Sequence, residues 1–273
     1  QASLLQQGLH PTPAPTQLEQ GQNLPRCCGG VQHPLQLQIA RWNIAALAEG
    51  GWRSRTEFRE INETLQSAAG SNEAFEVTNT RGAHAIAVGL DAPIHVTVKG
   101  STGYYCAGMN QHAHITVHGM VGVGVAENMM SGTVRIKGHA SQSAGATAHG
   151  GLLVIEGDAS SRCGISMKGV DIVVHGSVGH MSAFMAQAGT LVVGGDADEA
   201  LGDSLYEARV FVRGRVKELG ADCVEKEMRS EHLELLAELL EKAEMPNATP
   251  EQFRRYGSSR QLYNFSIDNA GDY

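Results

Sequence analysis

Residues 94–119 read IHVTVKGSTGYYCAGMNQHAHITVHG, and the run that ends at Gly100 returns in the same form at Gly119. The same spacing continues without an insertion through seven repeat glycines: Gly100, Gly119, Gly138, Gly157, Gly176, Gly195 and Gly214. Each glycine ends a short run rich in β-branched residues, such as HITVHG or GTVRIKG. The repeating unit therefore contains a strand rather than a helix.

Positions within a repeat are counted from its glycine, and two of them, 15 and 17, are aliphatic in every copy. Position 15 holds Ile115, Val134, Leu153, Ile172, Leu191 and Val210, and position 17 holds Val117, Ile136, Ile155, Val174, Val193 and Val212. Because side chains alternate along a strand, both columns share one face. Val96 and Val98 extend the columns into a partial coil before Gly100.

Position 7 is small in every repeat, which predicts a tight interior corner: Ala107, Ala126, Gly145, Gly164, Ala183 and Gly202. A 19-residue unit is too short for a propeller blade, contains no helical period, and lacks the leucine-rich-repeat pattern. The sequence therefore predicts an all-β chain, a right-handed parallel β-helix of about seven coils. Coils stacked ~4.8 Å apart make a rod on the order of 30 Å long.

The chain outside the repeats divides into three further segments. Residues 1–53 are rich in Pro, Gln and Gly in their first part, so we expect a disordered or unassigned segment there. The sequence begins with Gln instead of Met, which suggests a fragment or an uncertain start site. Residues 54–74 predict an N-terminal capping helix, introduced by a Ser54–Glu57 capping box and carrying Phe58, Ile61 and Leu65 at helical spacing. The β-helix itself is assigned to residues 75–228.

Residues 229–273 are predicted to form C-terminal helices and an extended arm. One helix spans roughly 230–244, with an apolar stripe of Leu233, Leu236, Leu240 and Ala243. Thr249, Pro250 and Gln252 then predict the start of a second short helix that ends at Gly257. The arm covers residues 256–273.

Position 16 is expected to face outward, and its character changes along the rod. It is polar at Thr97, Thr116 and Arg135 and apolar in the following four coils. An exposed apolar stripe needs a cover, and the chain's own C-terminal helix and a partner subunit remain equal alternatives. The candidate partner-binding residues are Val154, Val173, Val192, Phe211, Tyr256, Tyr263 and Phe265.

Charge and composition exclude several classes of partner. A formal charge of −8 provides no basic surface for nucleic acid or anionic lipid. No apolar run reaches the roughly 18 residues of a membrane span, and no secretion leader is visible, so a cytoplasmic location is expected. The five cysteines contain no C-x-x-C pair. Cys106 and Cys163 share position 6 three coils apart, or ~14 Å, and are predicted to be unpaired inward or corner thiols.

Candidate chemical motifs have structural explanations. Gly122-x-Gly124 lacks the third glycine and following helix of a dinucleotide site, so both are interpreted as corner glycines. His95 and His114 share position 14 on adjacent coils and are expected within ~5 Å, more as solvated imidazoles than as metal ligands.

Two further sets of side chains are also assigned no chemistry. Asp158 and Asp196, with His139 and Ser177 interleaved at position 1, are too sparse for acid–base catalysis. The methionines at positions 9 and 10 are predicted to fill the core: Met109, Met129, Met167 and Met185. No catalytic, cofactor-binding or metal-binding residue is therefore predicted in this chain.

Residues 75–226, with G-x-x-G corners such as Gly100–Gly103, Gly119–Gly122 and Gly176–Gly179, resemble the GXGXG β-helix domain at the C-terminus of the glutamate synthase large subunit. The β-helix subunit of formylmethanofuran dehydrogenase is similar to the same domain. The segments GYYCAGMNQHAHITVHG, GVGVAENMMSG and RRYGSSRQLYNFSIDNAGDY are most similar to the stand-alone GXGXG subunit of methylamine:glutamate N-methyltransferase, also called N-methylglutamate synthase. This resemblance covers roughly residues 54–273 and does not extend to the first fifty residues.

The resemblance implies a scaffold subunit without an active site, in a three-subunit glutamate-synthase-like oxidoreductase or transferase complex of methylamine and glutamate metabolism. Its partners would be a glutamine-amidotransferase-like subunit and an FMN-containing synthase subunit that also holds an iron–sulfur cluster. Two alternatives stay open: a glutamate synthase GXGXG subunit, and the β-helix subunit of a formylmethanofuran dehydrogenase or formyltransferase/hydrolase complex. A stand-alone carbohydrate-active β-helix fits least.

Overall fold

The computed structural model describes residues 41–45, 55–68 and 73–260, with backbone alone for 41–45 and 55–58. All of these residues lie in one compact unit, residues 39–273. The predicted disorder of the first part of the chain, the side chains of the Ser54–Glu57 capping box and most of the C-terminal arm lie outside the described residues.

Eleven strands, two α-helices and one 3₁₀ turn make up the described chain. In chain order they are β1 Arg41–Ala45, α1 Arg55–Gln66, β2 Ala74–Thr78, β3 His95–Lys99, β4 His114–His118, β5 Thr133–Ile136, β6 Leu152–Ile155, β7 Lys168–Val174, β8 Ala188–Val193, β9 Arg209–Val212, β10 Cys223–Lys226, α2 Ser230–Lys242, the 3₁₀ turn Pro250–Gln252, and β11 Arg254–Ser258.

The strands stack as a parallel β-solenoid of about seven turns, which confirms the predicted fold. Each strand from β1 to β8 pairs in parallel with the next one along the chain. His95 lies opposite His114, and Ile115 opposite Val134, so one coil corresponds to one sequence repeat. The first coil is longer, because Ala74 lies opposite His95. A second line of parallel bridges runs from Val121 to Val216 at position 2.

The interior of the solenoid is built from the two predicted aliphatic columns. Every residue at positions 15 and 17, from Ile115 to Val212, is buried and belongs to one continuous core cluster. Burying an aliphatic side chain of this size contributes ~1.5–3 kcal/mol. Similar side chains at one position stack directly over each other, so the core repeats in register with the backbone.

The repeat glycines form a column in which successive backbones nearly touch. From Gly119 onward, a Cβ atom on each would lie 2.4–2.8 Å from a backbone atom of the preceding repeat glycine. The Gly157 N–H donates to the Gly138 carbonyl at 3.0 Å, and the Gly176 N–H donates to Gly157 in the same way. Only glycine permits this approach, which explains why the residue type never varies at this position.

The predicted tight corner at position 7 has left-handed backbone in all six coils, with φ between 55° and 69°. Residues at positions 5 and 9 are also left-handed in every coil, so the chain turns by alternating conformations. Ala107, Ala126 and Ala183 adopt this conformation at a cost of about 1 kcal/mol or more each. Their side chains are fully buried, so the turn is held by packing on both sides.

Both ends of the solenoid differ from the sequence prediction. The segment assigned to residues 1–53 contains β1, which pairs with β2 so that Arg41 lies opposite Ala74, outside the 19-residue period. The predicted second C-terminal helix is only the 3₁₀ turn, because the chain becomes extended at Phe253 and enters β11. β11 lies antiparallel between β9 and β10 and closes the last coil.

The capping role of α1 is visible in its contacts. Ile61 and Leu65 are buried on one side of the helix. The Asn62 amide donates to the Ala85 carbonyl at 2.7 Å and accepts from the Val88 N–H at 3.1 Å. Within the described residues no coil lies beneath these backbone groups, so the Asn62 side chain provides their hydrogen-bond partners.

Replacing Gly138 with Ala should destabilise the solenoid by about 1–3 kcal/mol, because the new Cβ would meet the Gly119 carbonyl oxygen at 2.7 Å. Gly257→Ala is the matched control, since the nearest atom to its added Cβ is the flexible Lys226 side chain at 3.6 Å. Urea denaturation of both variants measures the difference. Equal stability of the two variants would contradict the close-approach explanation.

Candidate interaction surfaces

The cysteines that the structure describes are buried. Cys106 and Cys163 are unpaired, as predicted for inward or corner thiols, and Cys223 is also unpaired. Burial raises the pKa of Cys106 to about 11 and that of Cys163 to about 12. A thiol with such a pKa contains almost no thiolate near neutral pH and is a poor nucleophile. Cys27 and Cys28 lie outside the described residues.

His95 and His114 stack as expected, with ring centroids 4.9 Å apart and planes 14° from parallel. Burial and the neighbouring His95 lower the pKa of His114. Within residues 73–260 and the few described positions before them, no group of three or more His, Cys, Asp or Glu side chains is arranged to hold a metal ion.

The polar residues at position 1 form a ladder of side-chain acceptors. His139 Nδ1 accepts from the Asp158 N–H at 2.9 Å, and an Asp158 carboxylate oxygen accepts from the Ser177 N–H at 2.8 Å. Ser177 Oγ accepts from Asp196 N–H, and Asp196 from Arg215 N–H. These side chains serve coil stacking, a role that the sequence analysis missed. Its signal was a run of short polar side chains directly after the repeat glycine.

Gly122 and Gly124 are corner residues, as interpreted. A Cβ on Gly122 would lie 2.5 Å from the Gly103 carbonyl carbon, and Gly124 has a φ of 74°. The methionines divide into two groups, which corrects the expectation that all four fill the core. Met129 and Met167 at position 10 are fully buried, whereas Met109 and Met185 at position 9 are exposed by 44% and 38%.

The apolar stripe at position 16 is covered by the chain's own helix. Val154, Val173, Val192 and Phe211 are fully buried in a second core cluster with Leu236, Leu239 and Leu240 of α2. These four residues are therefore inaccessible to a partner, which corrects their inclusion among the candidate partner-binding residues. Of the two alternatives for covering this stripe, the structure shows the chain's own C-terminal helix.

Arg135 fixes the C-terminal end of α2, although the sequence analysis placed its side chain in solvent. Its guanidinium donates to the carbonyl oxygens of Ala243 and Lys242 at 3.1 and 2.9 Å. His175 Nε2 donates to the Ala243 carbonyl at 2.9 Å. Cations and donors at this helix end satisfy its free carbonyls and complement the helix dipole.

Glu156 orients the Arg135 side chain that binds the end of α2. One of its carboxylate oxygens accepts from Arg135 at 3.1 Å and from Lys137 at 2.6 Å. Burial opposes ionisation, but the hydrogen bonds from Lys137 and Arg135 hold the pKa of Glu156 below its ordinary value. The carboxylate therefore stays charged and keeps Arg135 oriented toward α2.

Tyr256 is also not available to a partner. Its side chain is 2% exposed and packs in the main core from β11, opposite Val210. The hydroxyls of Ser258 and Ser259 donate to the Asp222 carboxylate and anchor the strand end. Tyr263 and Phe265 lie outside the described residues, so their assignment as partner-binding residues remains a prediction.

A shallow groove of about 510 Å³ lies between α2 and the corner of three coils. Gly132, Gly151 and Gly169 line one wall, and Leu239 and Lys242 line the other. Asp171 opens into it, and burial raises the pKa of this carboxyl. The glycines are explained by stacking, because a Cβ on Gly132 would meet the Ala113 carbonyl oxygen at 2.4 Å.

One side of the solenoid carries apolar side chains that no other element covers within the described part of the chain. We call it the turn face: the outward residues at positions 8 and 9 of the left-handed turns, together with Met130 at position 11. It includes Met109, Met130, Ile165, Phe184 and Met185. Six large apolar residues are exposed among those the structure describes, and three of them, Met109, Met130 and Met185, lie on this face.

No described helix is both long enough and apolar enough to cross a membrane. Repeated 19-residue coils, a glycine column and a self-covered helical flank define a parallel β-solenoid protein. No family model matches the chain. It is 67% identical over 220 residues to Protein GlxC of Rhizobium meliloti (strain 1021), covering 80% of this chain and 96% of that protein. The chain belongs to the GlxC family.

Placing a charge under α2 should undock the helix. Leu236→Asp puts a carboxylate into the second core cluster, and we expect a loss of more than about 3 kcal/mol in unfolding free energy. Hydrogen exchange should accelerate throughout residues 230–242. Ala237→Asp, one residue further on the exposed side of α2, should leave exchange unchanged. Unaltered protection in Leu236→Asp would contradict the docked arrangement.

Acidification should weaken the fold through its histidines. Burial lowers the pKa of His114, His118, His175 and His232 below 6.5. The unfolded chain therefore binds more protons in mild acid, so the stability these groups contribute is present above pH 6.5 and is lost as pH falls through the lowered folded values.

Chemical denaturation at about pH 7.5 and about pH 5.5 measures this loss. His175→Gln retains a donor for the Ala243 carbonyl and should show a smaller difference between the two pH values than the wild type does. A wild-type protein that is equally stable at both values would refute the assignment.

Proposed function

We propose that the chain is a non-catalytic scaffold subunit of a glutamate-synthase-like complex, in which partner subunits form N-methylglutamate and ammonia from glutamate and methylamine. Membership of the GlxC family and the resemblance to the stand-alone GXGXG subunit support this proposal. The partners would be a glutamine-amidotransferase-like subunit and an FMN-containing synthase subunit with an iron–sulfur cluster.

The observation that carries the scaffold role is the use of the candidate catalytic side chains by the coils themselves. His139, Asp158, Ser177 and Asp196 each accept a hydrogen bond from the backbone of the next coil. A carboxylate held in this way is a stacking element with a fixed partner. The described thiols are buried, and one aliphatic core runs through all the coils, which supports a structural role for the solenoid.

Co-expression with the two proposed partner subunits tests the assignment. The isolated chain should be colourless and inactive with glutamate and methylamine, whereas the co-purified complex should carry FMN and form N-methylglutamate. Leaving this chain out should lower the activity of the other two subunits mixed together. An isolated chain that binds flavin or turns over these substrates would overturn the scaffold assignment.

A further inference from the structure

The turn face has an apolar stripe that runs across consecutive coils. Position 8 holds Ala146, Ile165 and Phe184 in three adjacent coils, and Met185 follows at position 9. Ala146 is buried, Ile165 and Phe184 are partly exposed, and Met185 is 38% exposed. Successive coils place the position 8 side chains ~4.8 Å apart along the solenoid axis, so the three form a continuous apolar ridge whose accessible part is Ile165, Phe184 and the adjacent Met185.

Charge is absent from the centre of this stripe. In the six coils from Gly100 to Gly214, position 8 is charged only at Glu127 and Asp203, one on each side of the ridge, and position 9 is never charged. The Asp203 carboxylate accepts hydrogen bonds from Ser204 Oγ and the Ala221 N–H, so it is already engaged by its own chain. The chain has 29 acidic residues, but none of them lies at the centre of this stripe.

Two cations flank the ridge at its middle coil. Arg162 and Lys168 lie three residues before and after Ile165, and both are exposed. Neither takes part in an ion pair with any residue of the described chain. An apolar ridge with an unpaired cation on each side is complementary to an apolar stripe bordered by carboxylates.

The same molecule already shows what covers such a ridge. At position 16, one apolar side chain from each of four coils is buried by α2, an amphipathic helix of 13 residues. The helix is ~20 Å long, and the four coils span ~14 Å, so one helix covers the whole stripe. The turn face presents a stripe of the same kind, for which the described chain supplies no helix.

We propose that the turn face binds an acidic amphipathic helix of a partner subunit. The apolar stripe of that helix lies over Ile165, Phe184 and Met185, and carboxylates on its two borders pair with Arg162 and Lys168. This inference rests on the proposed function, because it requires that the chain works inside a hetero-oligomeric complex.

Binding of the chain to each co-expressed partner subunit, measured by biolayer interferometry, tests the apolar contact. Ile165→Asp and Phe184→Asp should each weaken binding by about 30-fold or more, as expected for a charge placed at the centre of an interface. Met120→Asp is the matched control: Met120 is 56% exposed but lies at position 1, away from the turn face, so its variant should bind like the wild type.

The thermal midpoint of every variant is measured in parallel, and a variant that melts early is replaced by Ile165→Gln or Phe184→Gln. If the wild type binds a partner subunit and the Asp variants bind it equally well, the turn face is not the binding site. The scaffold proposal would be unaffected by that outcome. Failure of the wild type to bind either subunit would refute the scaffold proposal and this inference together.

The charge of the partner helix is tested separately. The double variant Arg162→Glu, Lys168→Glu should weaken binding about 10-fold at low salt, and wild-type binding should fall as salt rises. A photo-cross-linking residue at Met185 should capture a partner peptide with acidic residues beside an apolar stripe. Capture of a second copy of this chain, or of a basic peptide, would overturn the proposal.

Discussion

Backbone hydrogen bonding between coils is the constraint on which the rest of the molecule depends. The strand of each coil must lie opposite the strand of the next coil. At the repeat glycines the backbones of successive coils approach so closely that there is no space for a Cβ atom. An inserted residue would turn the aliphatic columns outward, because side chains alternate along a strand. The 19-residue period therefore stays strict along the stack of strands from β3 to β9, apart from the bulge near Lys168.

The same constraint determines what the polar side chains do. Donors and acceptors near the corners have a backbone group of the next coil within reach, so Asp158 and Asp196 become stacking elements. The Asn62 side chain likewise pairs with the backbone of Ala85 and Val88 in the first coil. Residues that resemble acid–base or metal-binding groups in the linear sequence are thus used to close the ladder of coils.

Two sides of the solenoid carry apolar side chains that point outward. The outer side of the strands is covered from Val154 onward by α2, whose end is held by Arg135, Glu156 and His175. The turn face keeps an apolar ridge with unpaired cations beside it. No element of the described chain covers this ridge, in contrast to the stripe under α2.

The sequence by itself determined the coil, its core columns and its tight corners, because these follow from a period that can be counted. It also indicated that Val154 to Phe211 needs a cover, and that Cys106 and Cys163 do not pair. Only the tertiary structure decided that α2 is the cover and that Arg135 caps it, since the covered residues lie in four separate coils and Arg135 lies more than a hundred positions from the carbonyl groups that it binds. β1 and β11 were missed for the same reason: their pairing partners lie outside the 19-residue period, so no local pattern records them.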